Sequence, residues 1–107
     1  MKTFDLAIIG GGPAGSFLGH LLSKEGVSVA IFDDQWKKKR KICGEYLCPK
    51  GVEILLEAGL PHIPGQKIIK GMKLVSPDGT SVWSKFPASN SGGGRAIRRD
   101  QFDAALL

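Results

Sequence analysis

The stretch "DLAIIGGGPAGSFLGHLLSKEGVSVAIFDD", residues 5–34, decides the fold. "TFDLAIIG", residues 3–10, is short, apolar and isoleucine-rich, and glycines end it, which predicts a buried strand. "PAGSFLGHLLSKEG", residues 13–26, predicts a helix. Pro13 suits a first helical turn, where its missing N–H costs nothing. Phe17, Leu18, Leu21 and Leu22 recur at helical spacing, with Lys24 in the last turn and Gly26 just past the end. "VSVAIFDD", residues 27–34, predicts a second strand. Strand, helix and strand in so short a span make a βαβ unit, a parallel pair joined by a right-handed crossover.

The glycines at the strand-to-helix junction form the pattern G-x-G-x-x-G as Gly10, Gly12 and Gly15. Alone the pattern is weak, because the chain holds 15 glycines. Its setting gives it meaning: it follows a strand, opens a helix and lies inside a βαβ unit. Each glycine has a separate task in such a site. Gly10 permits the tight turn, Gly12 lets a pyrophosphate approach the backbone, and Gly15 lets helix and strand pack closely. Gly19 extends the same small-residue face. The helix N-terminus offers unpaired N–H groups and a partial positive charge. Asp33, at the end of the second strand, stands where the pattern needs an acid to hydrogen-bond an adenosine ribose and to repel a 2′-phosphate. Asp34 is a weaker candidate, on the opposite face of a continuing strand. A dinucleotide site follows; which dinucleotide does not.

Beyond this unit, residues 35–48 read as a loop and "CPKGVEILLEAGL" as a short helix. "KIIKGMKLVSPDGTSVWSKF" reads as an antiparallel hairpin about Pro-Asp-Gly-Thr. "PASNSGGG", residues 87–94, reads as a flexible loop, and "RRDQFDAALL" opens a final helix.

Composition sets the bounds. The chain has 107 residues, 42% of them hydrophobic and 23% charged, ordinary values for a globular domain. No apolar run reaches the length of a membrane helix, and the N-terminus lacks a signal-peptide pattern, so a cytoplasmic location is expected. Cys43 and Cys48 are expected to be reduced thiols, and with His20 and His62 they show no metal-ligand spacing, so no metal is expected. Much of the net charge of +5 sits in "WKKKRK", residues 36–41. A solvated loop is the favoured reading of that run and nucleic-acid contact the alternative; no aromatic interleaving or helix-turn-helix supports the latter.

Residues 5–34 resemble the N-terminus of FAD-dependent oxidoreductases of the glutathione reductase superfamily. "KICGEYLCPKGVEILLEAGL", residues 41–60, resembles the following segment of p-hydroxybenzoate-hydroxylase-like monooxygenases and geranylgeranyl reductases, the Lys-x-Cys-Gly start being closer to the reductases. "GRAIRRDQFDAALL", residues 94–107, resembles the family's Ile-x-Arg-x-x-(Leu/Phe)-Asp segment.

The resemblance implies an α/β fold: the N-terminal βαβ portion of a Rossmann-type FAD-binding domain plus a β-hairpin, an incomplete domain. Residues 1–107 would be that partial domain, 1–34 its βαβ unit, and 67–87 a hairpin excursion toward a substrate domain that the sequence lacks. FAD is the implied cofactor and NADH or NADPH the electron donor, with a small-molecule substrate, apolar or aromatic, and no nucleic acid. Gly10, Gly12, Pro13, Ala14 and Gly15 would bind the FAD pyrophosphate and Asp33 the ribose. Arg99 would lie near the phosphates and ribityl chain, with Arg98 its neighbour and alternative. Cys43 and Gly44 would run beside the flavin, with Lys41 and Glu45 in the same region. No residue is singled out as catalytic. The reaction is either hydroxylation with oxygen or reduction of a carbon–carbon double bond. A non-catalytic nucleotide-binding module or a truncated remnant is the competing reading.

Overall fold

The computed structural model describes residues 1–34, 41–60 and 62–107. Of the basic run, residues 36–40 lie outside these, and Lys41 is exposed. The chain divides into two units, residues 1–42 with 99–107 and residues 43–98.

The first unit is built on the expected βαβ. Strand β1 (Leu6–Ile9), helix α1 (Pro13–Lys24) and strand β2 (Val29–Phe32) follow in order. β1 and β2 pair in parallel, with Leu6 opposite Val29 and Ile9 opposite Phe32. The elements are trimmed relative to their sequence patterns, because polar residues and turn conformations claim the ends. Asp5 is one such end: its carboxylate accepts from the Ser28 N–H at 2.9 Å. α1 ends as its sequence predicts, with Lys24 in the last turn and Gly26 at φ +81°.

The buried face of α1 differs from the leucine face that periodicity suggests. Ser16 and Gly19 are the buried residues, while Leu18 and Leu21 are 45% and 39% exposed. The reason is clearance. A Cβ on Gly19 would stand 2.9 Å from Ile31 Cδ1, and one on Gly15 only 1.9 Å from the Gly10 carbonyl oxygen. Small residues let the helix axis approach the sheet, and larger ones at those positions would push it away. Ile8 is buried in this unit, as is Leu106 near the end of the chain.

That last helix spans Arg99–Leu106, as the sequence predicts, and packs against α1.

The second unit departs more from its sequence reading. Its first element is the two-residue strand β3 (Tyr46–Leu47), inside the segment expected to be loop. Helix α2 (Pro49–Glu57) follows as expected, with Cys48 as its N-cap; the thiol sulfur accepts from the Gly51 N–H at 3.4 Å. Strand β4 (Lys67–Ile69) then precedes the hairpin rather than joining it. The hairpin itself runs from β5 (Gly71–Val75) to β6 (Ser81–Lys85), with Met72 opposite Ser84 and Leu74 opposite Val82. Its turn is closed by the Ser76 N–H on the Thr80 carbonyl at 2.8 Å, with Gly79 at φ +87°.

The larger correction concerns residues 87–94, expected to be a flexible loop. Gly94 opens strand β7 (Gly94–Ala96), the centre of a three-stranded antiparallel sheet ordered β3–β7–β4. Gly93 and Gly94 are buried there. A Cβ on Gly93 would lie 2.5 Å from the Ile69 carbonyl oxygen, and one on Gly94 would lie 2.8 Å from that of Leu47. These glycines are selected for close strand approach, not for flexibility. Arg95 braces the preceding turn by donating to the carbonyls of Ser91, Gly93 and Gly94 at 2.8–3.0 Å. α2 packs on β7, and Val52, Ala58, Ile63 and Ile97 are the buried apolar residues of this unit. The last helix of the chain is designated α3 (Arg99–Leu106).

Candidate functional site

The parallel pair β1–β2 brings the glycine loop and the acid to the same end of the sheet. Gly10 leaves β1 at φ +104°, a conformation that L side chains rarely adopt, and its N–H donates to the Phe32 carbonyl at 2.7 Å. One residue on, the Gly11 N–H donates to Asp33 Oδ2 at 2.6 Å. The Asp33 carboxylate is thus tied to the loop through a charge-assisted hydrogen bond. Asp34 is exposed, in a turn just past β2.

Gly12 caps α1 with extended backbone (φ −73°, ψ −175°) and Pro13 takes the first helical position. The glycines divide by what surrounds them. A Cβ on Gly15 meets the Gly10 backbone, whereas one on Gly12 meets no atom of the described residues within 4 Å. Gly12 has an ordinary φ and open space at its Cβ position, so neither conformation nor packing against the described residues accounts for a glycine there.

Sequence reasoning passes over two participants. Gly11 fills a variable position of the pattern, yet a Cβ there would stand 3.2 Å from Asp33 Cβ, so a side chain at 11 would require the acid to shift by a few tenths of an ångström. The run of three glycines, with Gly11 in the middle, is the available signal. Ser16 is only 2% exposed, and its hydroxyl donates to the Gly11 carbonyl at 2.8 Å.

Arg99 stands at the start of α3, in the same unit as the glycine loop and Asp33. Its Nε donates to Asp103 Oδ1 at 2.6 Å, one helical turn on, with both side chains about four-fifths buried. Cys43 and Gly44 belong to the second unit. Cys43 is an exposed free thiol whose sulfur accepts from the Glu45 N–H at 3.4 Å. Glu45 has φ +54°, alone in that region among the described non-glycine residues, and its carbonyl accepts from the Ile97 N–H at 2.9 Å. Among the described residues no group of acidic, histidine and cysteine side chains could hold a metal ion. No helix among them is long and apolar enough to cross a membrane.

Comparison with known proteins bears on the glycine loop directly. A family model described as an FAD binding domain matches residues 3–67, which hold β1, the loop, α1, β2, Asp33 and α2. The chain belongs to this FAD-binding family. Among its curated relatives, the digeranylgeranylglycerophospholipid reductase of Sulfolobus acidocaldarius is 35% identical over 86 residues, covering 76% of this chain and 18% of that protein. The 1H-pyrrole-2-carbonyl-[peptidyl-carrier protein] chlorinase of Pseudomonas fluorescens is 42% identical over 57 residues, covering 53% of this chain and 12% of that one. Among solved structures, the myxobacterial chondrochloren halogenase, described as an FAD-dependent halogenase, superposes with a TM-score of 0.85 at 29% identity. That match covers all of this chain and 26% of the halogenase. The FAD-binding chain therefore spans about a quarter or less of each of these relatives. Halogenases stand beside the reductases expected from the sequence, a chemistry that its motifs do not suggest.

Proposed function

We propose that this chain holds the pyrophosphate and adenosine ribose of FAD in a flavin-dependent oxidoreductase that reduces a carbon–carbon double bond of an apolar small molecule, with NADH or NADPH as electron donor. The observation that carries this reading is the 2.6 Å hydrogen bond from the Gly11 N–H to Asp33, which sets an acid beside a glycine loop at the head of a helix. The residues present fit the cofactor. The position a Cβ would take at Gly12 is open, as a phosphate lying against the backbone requires. Gly10, Gly12, Pro13, Ala14 and Gly15 supply that backbone, and the first turn of α1 adds its dipole.

Asp33 would accept from the ribose hydroxyls, and Arg99, steadied by Asp103, would supply positive charge to the phosphates. Cys43 and Gly44 would border the flavin. Residues 1–34 would act as the dinucleotide-binding unit and 67–87 as an extension toward a substrate domain. Bound FAD supplies the redox chemistry, and the chain's residues bind, orient and neutralise it.

Among the curated relatives, alignment length favours double-bond reduction over oxygen chemistry. The reductase relative aligns over three quarters of the chain, the chlorinase over about half. Anaerobic turnover by the polypeptide that carries this chain is the test. Reduced product formed from NADH or NADPH without oxygen is expected; a strict requirement for oxygen would assign hydroxylation or halogenation instead.

A further inference from the structure

We infer that Ser16 is a positioning residue whose hydroxyl sets the Gly11–Gly12 peptide with its N–H directed outward, toward the pyrophosphate. The inference rests on the proposed FAD site and adds to it a residue outside the glycine pattern.

Ser16 is an unexpected residue for its position. It lies on the small-residue face of α1 between Gly15 and Gly19, and it is 2% exposed. Alanine would fill nearly the same volume with better helix propensity and no buried hydroxyl to satisfy. The hydroxyl therefore has a use, and it makes one directed bond, to the Gly11 carbonyl at 2.8 Å.

Three successive peptide units of the loop are each held by one hydrogen bond. The Gly10 N–H is held by the Phe32 carbonyl at 2.7 Å and the Gly11 N–H by Asp33 at 2.6 Å. The third unit, between Gly11 and Gly12, is held through its carbonyl by Ser16. Without side chains at 11 and 12, little else restrains its rotation. A trans peptide points its C=O and N–H in opposite directions. With the carbonyl anchored on the Ser16 hydroxyl, the Gly12 N–H points the opposite way, away from Ser16. Removing the hydroxyl frees this peptide to turn its carbonyl toward the ligand, placing a negative dipole where a phosphate needs a donor.

The test compares ADP with adenosine, since only ADP carries the pyrophosphate. Calorimetric titration of the 107-residue chain should show Ser16→Ala weakening ADP binding by about tenfold or more, the loss of one hydrogen bond to a charged group. Adenosine binding should stay within about twofold of its original value, a change too small to count as a lost hydrogen bond. An equal loss for both ligands, or unchanged ADP binding, would overturn the role. If Ser16→Ala does not fold, the native chain still decides. The Gly12 amide resonance should shift with ADP and not with adenosine, and its indifference to ADP would sink the idea. A native chain that binds no ADP would overturn the FAD reading together with the Ser16 role, whereas a native chain that binds ADP while Ser16→Ala binds it equally well overturns the Ser16 role alone.

Discussion

The Gly11 N–H and the Asp33 carboxylate, 22 residues apart in sequence, are joined by a hydrogen bond of 2.6 Å. It links the end of β1 to the end of β2 and fixes the acid beside the loop. Replacing the acid keeps an acceptor but removes the charge. Asp33→Asn should therefore narrow the preference for ADP over its 2′-phosphorylated form by about tenfold or more. Competition titrations with the two nucleotides measure it, and an unchanged ratio would remove Asp33 from the ribose site.

Gly12 and Gly15 should separate binding from stability. Gly15→Ala drives a methyl against the Gly10 carbonyl and should cost about 1–3 kcal/mol or more. Gly12→Ala meets no atom of the described residues, so its cost should be about 1 kcal/mol or less, the difference between glycine and alanine at an N-cap. Yet it should abolish ADP binding. Thermal melts and titrations on both variants check this; a stable Gly12→Ala that binds ADP normally would contradict a phosphate at that position.

Helix α2 is capped by an exposed thiol, a weak acceptor, on the Gly51 N–H at 3.4 Å. Serine is a strong N-cap with a better acceptor. Cys48→Ser should raise stability by about 0.5 kcal/mol or more in denaturant unfolding, with nucleotide affinity unchanged.

The hairpin turn carries a pH response. Asp78 accepts from the Ser76 hydroxyl and from the Thr80 N–H, which hold its carboxyl below the ordinary value of 3.8. A lowered folded pKa means that its contribution is complete above the unfolded value and is lost as pH falls through the folded one. Asp78 should thus titrate below 3.8 by NMR, and the turn amides should loosen only in that acidic range. Asp78→Asn should remove the effect.

The βαβ unit is legible in the sequence because its signals agree: an apolar run, glycines at a fixed spacing, proline at a helix start and an acid at a strand end. Strands β3 and β7 are not legible. They are two and three residues long, and β7 begins with a glycine that reads as loop until its neighbours' backbones are in place. The buried face of α1 misleads for a related reason. Periodicity marks Leu18 and Leu21, whereas close approach to the sheet selects Ser16 and Gly19. Gly11 and Ser16 escape a pattern reading because their roles are hydrogen bonds, Gly11 to Asp33 22 residues on and Ser16 back to the Gly11 carbonyl, which spacing rules do not encode.

The central claim is that this loop and acid bind the adenosine diphosphate portion of FAD. Calorimetric titration of the purified chain with FAD, ADP and FMN tests it most directly. Saturable binding of FAD and ADP that Gly12→Ala abolishes is expected, with FMN, which lacks the adenosine, bound far more weakly. Binding of FMN as tight as that of FAD, or no binding of ADP by a folded chain, would contradict it.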